Sequence, residues 1–228
     1  MTAWKSRRGA AVFSALLAAS VLALVPAAFG AESQEEILSA CRKSLDSNLK
    51  NSSLYHQCAQ IYRRRRDVPT AFAYIRRALR FDAKQPKYHF ERAEIYWTLT
   101  LPEYAADKAF VKRVMLRLKR SYYANKCVAN FDKAIELSFP ETCLVCHFRK
   151  GEVLLSDGKI DRAIVEFNFI LSREPDDFAA MKLRGDAYMK FLDQRKAWLD
   201  YRKACDGGNE PACRAIEAMK STSGILLE

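Results

Sequence analysis

The sequence is long enough to bury a core as one domain, and it carries a marked excess of positive charge. It has 228 residues, with 38 Lys and Arg against 27 Asp and Glu, which gives a net charge of +11. No second long apolar stretch follows residue 30, which excludes a membrane-embedded domain there and predicts a soluble mature protein.

The first thirty residues have the layout of a secretory signal peptide. Three basic residues precede an apolar run from Ala10 to Val25, and Ala28 and Gly30 occupy the places that a signal peptidase reads. We expect cleavage after Gly30 and a periplasmic or secreted product. The alternative is an uncleaved anchor, although the run is shorter than the ~20 residues that a spanning helix needs.

Small residues then recur along the chain with a period of 34 residues. They are Ala59, Ala93, Gly151, Ala163, Gly185 and Ala197. Such residues let two helix backbones approach closely, and an aromatic or large apolar side chain nearby fills the space beside the crossing. The period therefore predicts repeated pairs of packed helices. No useful alternation of the strand type occurs, so the predicted class is all-α.

The third unit, "KGEVLLSDGKIDRAIVEFNFILSREP", resembles the tetratricopeptide repeat. Gly151, Leu154, Ala163, Phe167 and Pro175 stand at the family's characteristic places. The resemblance implies a solenoid of about four helical hairpins over residues 51–220. We expect a leading helix at residues 31–50 and a closing helix from Pro211 to Lys220. Residues 221–228 are expected to form a flexible tail.

The resemblance also implies that the first helices of the repeats line a groove that binds a protein or peptide. Carried over to this sequence, the groove-facing places are His56, Gln60, Arg63, Arg64, Lys87, Phe90, Glu94, Trp97, Phe148, Glu152, Leu155, Lys182, Asp186, Met189 and Lys190. Aromatic and basic side chains together suit an extended peptide with carboxylates. We therefore expect a scaffold with a partner of acidic character.

A run of four arginines, Arg63 to Arg66, adds positive charge at one end of this predicted groove. Nucleic acid is a common partner of such runs, but an exported protein rarely meets it. We expect no nucleic-acid binding. An acidic partner, a carboxyl terminus or an anionic membrane surface fits better, and a solvated basic face without a partner is the alternative.

The second repeat departs from the period, because its second helix is displaced by 22 residues. The insertion, at about residues 100–121, predicts an extra basic amphipathic helix or an extended start of the second helix. Its apolar stripe is formed by Phe110, Val111, Val114, Met115 and Leu118. Such a stripe usually packs on its own protein, which is the expectation here. Docking to a partner or to a membrane surface is the alternative.

Seven cysteines follow the predicted signal peptide, so disulfides are expected and at least one thiol has another fate. The stretch "ACDGGNEPAC" is similar to the cysteine-rich Sel1-like repeats, and this similarity implies a disulfide between Cys205 and Cys213. Cys41 and Cys58 could pair if their helices pack antiparallel. Both expectations depend on the helices returning across short loops.

The stretch "CLVCH" has the residues of a covalent haem c site, with Cys143 and Cys146 for the thioether bonds and His147 as iron ligand. The alternatives are a local disulfide, a pairing of one of these cysteines with Cys127, or redox chemistry at a helix start. Tight helix packing leaves little room for a porphyrin. We therefore expect no cofactor and no metal, with haem as the alternative.

No other motif points to catalysis. The chain has three histidines, lacks a Gly-rich phosphate loop or a nucleophile elbow, and has carboxylates scattered as helix-surface residues. An enzymatic role would have to come from the two cysteines or from a haem. The prediction is a binding protein and not an enzyme.

Overall fold

The computed structural model describes residues 36–44, 50–106, 108–139 and 141–223, and within these ranges every regular element is a helix. The chain divides after Leu49 into two units. In the first unit, residues 36–44 form α1. None of the helices described is long and apolar enough to cross a membrane. The predicted signal peptide and the last five residues of the predicted tail lie outside the described residues.

The second unit is built from the helices α2 to α12. Their bounds are Ser52–Arg64 (α2), Val68–Phe81 (α3), Pro86–Thr98 (α4), Pro102–Ala106 (α5), Phe110–Leu118 (α6), Arg120–Leu137 (α7), Leu144–Ser156 (α8), Ile160–Arg173 (α9), Phe178–Lys190 (α10), Gln194–Asp206 (α11) and Glu210–Ser223 (α12). The helix α12 thus continues three residues beyond the predicted closing helix. Residues 221–223 were predicted as tail and are helical.

These helices pack as hairpins in which α2 pairs with α3, α4 with α7, α8 with α9, and α10 with α11. Neighbouring hairpins meet through α3 and α4, α7 and α8, and α9 and α10, while α12 packs on α11. The array has four helical hairpins and a closing helix. The predicted all-α hairpin solenoid is therefore confirmed.

Side-chain caps explain where several of these helices begin. Asp67, Asp177 and Asp193 each accept a hydrogen bond from a backbone N–H in the first turn of α3, α10 and α11. Each cap satisfies one of the amides that a helix start leaves without an intrahelical partner. Short loops with a capping aspartate thus make the chain reverse and start the next helix at a defined residue.

The predicted small residues lie where the two helices of a hairpin cross. A Cβ atom added to Gly151 would lie 2.7 Å from Cε1 of Phe167, and one added to Gly185 would lie 2.6 Å from Cε1 of Tyr201. The four alanines, Ala59, Ala93, Ala163 and Ala197, are fully buried. The aromatic rings of α9 and α11 therefore occupy the volume that a larger side chain on α8 or α10 would need.

The turn inside the first, third and fourth hairpins uses the same left-handed backbone conformation. Arg66, Gly158 and Leu192 have φ angles of 60°, 79° and 62°. Gly158 and Leu192, in the third and fourth hairpins, are 34 residues apart and therefore occupy equivalent places in the repeat. Only glycine adopts this conformation without steric cost, so the first and fourth hairpins hold a strained residue at this place.

The insertion in the second hairpin forms α5 and α6, and α7 is also longer than the other second helices. Most of the stripe expected to pack on its own protein does not do so, and Val114 alone of its five residues is half-buried. Phe110, Val111, Met115 and Leu118 are 70%, 71%, 44% and 75% exposed, and Leu116 is the buried residue of α6. The expectation was wrong because α6 rests on the body through its opposite side.

Candidate binding face on the first helices

The predicted groove residues lie on α2, α4, α8 and α10, whose common surface we call the first-helix face. Of the fifteen predicted residues, Arg64, Lys87 and Lys190 are exposed, and ten are half-buried. Glu94 and Leu155 are each only 7% exposed. The face is therefore more closely packed than an open groove, and two of its predicted contact residues are part of the interior.

A chain of ion pairs joins α2, α4 and α8 across this face. Arg63 Nε donates to Glu91 Oε1 at 2.6 Å. Arg149 donates to both carboxylate oxygens of Glu94, from Nε at 2.8 Å and from Nη2 at 2.9 Å, and it also pairs with Glu152. A two-pronged Arg–carboxylate pair fixes orientation as well as distance. These bonds hold three first helices in one arrangement.

Burial and ion pairing both shift the pKa values of the residues in this network. Burial raises the pKa of Glu91, although the Arg63 guanidinium opposes the effect. Burial by itself would lower the pKa of Arg149, but the bonds to Glu94 and Glu152 outweigh it and raise the pKa above its ordinary value. Arg149 thus stays charged, and its removal would leave the Glu94 carboxylate buried with a weaker partner.

A second polar group lies on α10 and α11. Asp186 pairs with Lys182 Nζ at 2.6 Å and accepts a hydrogen bond from the Tyr201 hydroxyl at 2.8 Å. Burial, followed by the charge of Asp186, raises the pKa of Tyr201. The ring that fills the space at Gly185 is therefore also held by its hydroxyl group.

The exposed cations of the face differ from this paired interior. Within the described ranges, Arg64, Lys87 and Lys190 form no ion pair, although the charge of Arg64 acts on Glu91 from a distance. By contrast, Glu91, Glu94, Glu152 and Asp186 all form an ion pair with a cation. Burial, Lys87 and Arg63 together lower the pKa of His56 to about 4. His56 is neutral at physiological pH, and its surroundings carry an excess of positive charge.

The aromatic residues among the predicted groove positions are partly used by the core. Phe90 lies edge-on to Phe131 with ring centroids 5.4 Å apart, and Phe148 lies edge-on to Phe167 at 6.3 Å. Trp97 packs against the same core cluster. Their substitution would disturb packing and binding together, so the exposed cations are better sites for testing this face.

Sequence reasoning missed Glu91 and Arg149, which carry most of the ion-pair network. Arg149 lies 55 residues from Glu94 in the chain, so no local spacing indicates their pairing. The three-residue spacing of Arg149 and Glu152 on one helix is a visible signal, because such residues are neighbours on a helix surface.

The run from Arg63 to Arg66 does not form one basic patch. Arg63 pairs with Glu91, Arg64 is exposed at the end of α2, and Arg66 donates to the backbone oxygen of Glu103 at 3.1 Å. Only Arg63 and Arg64 belong to α2, and Arg66 follows the helix with a left-handed φ of 60°, so the side chains of the run point in different directions. The joint positive end expected from the sequence is therefore divided among three surroundings.

The cysteines of "CLVCH" are joined to each other by a disulfide at the start of α8. Haem attachment would need both sulfur atoms for thioether bonds, so the residues present do not fit a haem. His147 Nδ1 lies 2.7 Å from Glu166 Oε2, and its ring stacks on Phe169. In the described ranges no group of three or more His, Cys, Asp or Glu residues is arranged to hold a metal ion.

The remaining cysteines include a second disulfide and one free thiol. Cys205 and Cys213 form a disulfide with Cα atoms 4.8 Å apart, across the turn from α11 to α12. Cys127 is a free, buried thiol that donates to the Ala93 carbonyl, so its predicted alternative pairing with Cys143 or Cys146 does not occur. Burial raises the pKa of this thiol. The pairing of Cys41 with Cys58 stays a prediction.

Known structures share this arrangement of hairpins. MamA 41-end from Desulfovibrio magneticus RS-1 is 20% identical, with a TM-score of 0.57 over 76% of this chain and 85% of that one. A second crystal structure of MamA is 16% identical, with a TM-score of 0.59 over 80% of this chain and 94% of that one. Both are tetratricopeptide-repeat proteins. The chain has the tetratricopeptide-repeat fold. At these identities the likeness shows the fold alone.

No protein-family model matches the sequence, and no curated relative matches it.

Proposed function

We propose that this protein is an exported scaffold that binds an acidic, extended peptide segment of a partner protein on its first-helix face. The observation that carries the proposal is the unequal pairing of charge on that face. The carboxylates among its predicted residues all form ion pairs with cations, whereas Arg64, Lys87 and Lys190 form none in the described ranges. A ligand carboxylate therefore finds available cations, and a ligand cation finds no available carboxylate.

The paired interior supports this role by making the face rigid. Arg63 and Arg149 hold α2, α4 and α8 together before any ligand arrives. A preformed surface loses less conformational entropy on binding than a mobile one. Half-buried Phe90, Trp97 and Phe148 add apolar surface between the cations, where alternate side chains of an extended peptide could pack.

A labelled peptide in which Glu alternates with Leu tests the charge preference by fluorescence anisotropy. We expect it to bind, and we expect the double variant Arg64→Glu/Lys87→Glu to weaken binding by roughly tenfold or more, because two charge-assisted contacts are reversed. The variant Arg162→Glu/Arg195→Glu changes the net charge equally at exposed residues of α9 and α11, and it is the matched control.

A peptide with Lys in place of Glu is the second control. Equal binding of the Lys peptide would contradict the proposal, and so would equal weakening by the control variant, which would indicate a nonspecific charge effect. Raising the ionic strength should weaken binding of the Glu peptide, since exposed charge pairs are screened by salt.

Export is tested separately, by fractionation of bacterial cells that produce the full chain. We expect the protein in the periplasm, with an intact mass that corresponds to a chain starting at Ala31. The disulfides Cys143–Cys146 and Cys205–Cys213 fit such a compartment, because it is oxidising. A cytoplasmic protein with the mass of all 228 residues would overturn this part.

A further inference from the structure

The inserted helix α6 turns its apolar side away from the protein. Successive helical residues are rotated by about 100°, which places Leu116 on the side opposite to Val111, Val114 and Leu118. Leu116 is buried against the body, while Val111 and Leu118 are largely exposed. Phe110 and Met115 extend the exposed apolar surface at its two edges. This arrangement is the reverse of an ordinary surface helix, whose apolar side faces the core.

Cations border this apolar surface on both sides. By the same rotation, Arg113 and Arg117 lie along one edge and Lys112 and Lys119 along the other. Residues 108–131 contain seven Lys and Arg and no Asp or Glu. Within the described ranges, none of the four bordering cations forms an ion pair. An apolar strip between two rows of unpaired cations is complementary to a surface that is apolar within and anionic at its rim.

Space for anionic groups lies beside α6. A cavity of about 860 Å³ separates one edge of the helix from α5, and Arg113, Arg117 and Arg120 line it together with apolar residues such as Leu101. A smaller cavity of about 270 Å³ on the other edge includes Lys112 and Lys119. Long basic side chains on these edges can therefore reach phosphate groups while the apolar side faces acyl chains.

We propose that α6 binds the surface of an anionic lipid bilayer, with Phe110, Val111 and Leu118 inserted at the boundary between headgroups and acyl chains. The helix would lie in the plane of the interface and would not cross the membrane. This inference does not rest on the peptide-binding role, because it uses a different surface.

The charge of this surface disfavours a second copy of the chain as its occupant. Two such faces would bring two sets of unpaired cations together without any carboxylate between them, and like charges at close range are repulsive. An acidic protein partner would satisfy the cations. The stripe, however, is short and convex and has cations along both edges, which suits a fluid surface better than a helix groove.

Flotation of the protein with lipid vesicles tests the proposal. We use the full chain in the form that its host accumulates, with vesicles of phosphatidylcholine alone or with phosphatidylglycerol added. Binding to the anionic vesicles is expected. The variant Lys112→Glu/Lys119→Glu should weaken it by roughly 30-fold or more, since each basic residue near an anionic surface contributes to attraction. The variant Val111→Asp/Leu118→Asp should weaken it by on the order of 100-fold.

Matched controls exist for both variants. Arg195→Glu/Lys220→Glu makes the same change of charge at exposed residues of α11 and α12, and Val165→Asp/Leu199→Asp makes the same apolar-to-acidic change at exposed residues of α9 and α11. Both controls should bind as the unaltered protein does. Circular dichroism on every variant shows whether the fold is kept.

A local readout separates α6 from any contribution of residues 10–25. The emission of Val111→Trp should shift to shorter wavelength when anionic vesicles are added, whereas Val165→Trp should show no such shift. Equal binding to neutral vesicles, equal loss in the controls, or an unshifted Trp emission would overturn the proposal. The proposal would also be overturned if the protein self-associates or binds the Glu peptide and Val111→Asp/Leu118→Asp abolishes that binding. Such a result would assign the surface to a protein contact.

Discussion

The third hairpin and the inserted helix α6 use similar apolar residues in opposite ways. In the hairpin, α8 meets α9 at Gly151, and the ring of Phe167 fills the adjoining space and is fully buried. In α6, Phe110 and Leu118 are mostly exposed. The hairpin has a small residue where the backbones cross, whereas the apolar side of α6 has none. Helical periodicity thus predicts an apolar side but does not say what covers it.

The third hairpin and α6 also differ in whether their charged side chains form ion pairs. In the hairpins, buried or half-buried carboxylates such as Glu94 and Glu166 are held by cations. Burial would raise the pKa of Glu166, but hydrogen bonds from His147 and Lys150 outweigh it and hold the pKa below its ordinary value. Lys112, Arg113, Arg117 and Lys119 at α6 form no ion pair with the described residues. The carboxylates inside the array are thus paired, whereas unpaired cations occur at α6 and at the exposed Arg64, Lys87 and Lys190 of the first-helix face.

The largest expected effect comes from enlarging Gly151. We expect Gly151→Val to lower the free energy of unfolding by about 3 kcal/mol, because the new side chain would overlap the buried Phe167 ring. Denaturant titration measures the change. Leu118→Ser on α6 is the contrast and should change stability by less than about 0.5 kcal/mol.

A second variant shows whether the overlap is the cause. Gly151→Ala combined with Phe167→Leu should lose less stability than the sum of the two single changes, since the smaller side chain makes room. Simple additivity would contradict the close approach of α8 and α9 at this place.

A smaller effect is expected in the ion-pair network. Arg149→Met should lower the free energy of unfolding by about 2 kcal/mol, because Glu94 would be left buried without its two-pronged partner. Adding Glu94→Gln should restore part of the loss. A full loss in the double variant would show that packing, and not pairing, is what Arg149 supplies.

Relief of backbone strain should raise stability slightly. Leu192→Gly is expected to increase the free energy of unfolding by about 1 kcal/mol, because glycine adopts the φ of 62° at this turn without steric cost. The equivalent Gly158 shows that the hairpin accepts glycine at this place. A loss of stability would mean that the exposed Leu192 side chain makes contacts that outweigh the strain.

The smallest expected effect is a change in the pKa of His56 when one neighbouring charge is removed. Burial, Lys87 and Arg63 lower its pKa to about 4, so the folded state binds its proton less readily than the unfolded state. The contribution of His56 to stability is present above the ordinary pKa of 6.5 and is lost as the pH falls towards 4. Lys87→Met should raise the His56 pKa, which NMR titration of the ring protons can follow.

The same titration sharpens the contrast between paired and unpaired charge. A Glu peptide bound beside Lys87 should also raise the His56 pKa, since it adds negative charge next to the ring. Arg195→Met is the control. Arg195 lies on α11, outside the first-helix face, so this change should leave the His56 titration unchanged. An unaltered His56 pKa in the presence of saturating peptide would place the ligand elsewhere.

Much of the array could be predicted from the sequence because its determinants are local. The 34-residue spacing of Gly151 and Gly185 predicts the hairpins, whereas the aspartates that cap α10 and α11 were identified only in the structure. The candidate site was predicted less completely. Its exposed cations were found, but Glu91 and Arg149 were missed, and the predicted aromatic contact residues Phe90, Trp97 and Phe148 also pack against the core.

The sequence by itself determined the helical class, the period of the repeats and the position of the insertion, because these depend on side-chain size and spacing along one chain. Only the tertiary structure decided that Cys143 pairs with Cys146, that Arg149 reaches Glu94, and that α6 presents its apolar side outward. Each of these depends on which surfaces meet in space. A pattern along one helix records which side is apolar or charged, but the partner of that side is fixed by packing between residues far apart in the chain.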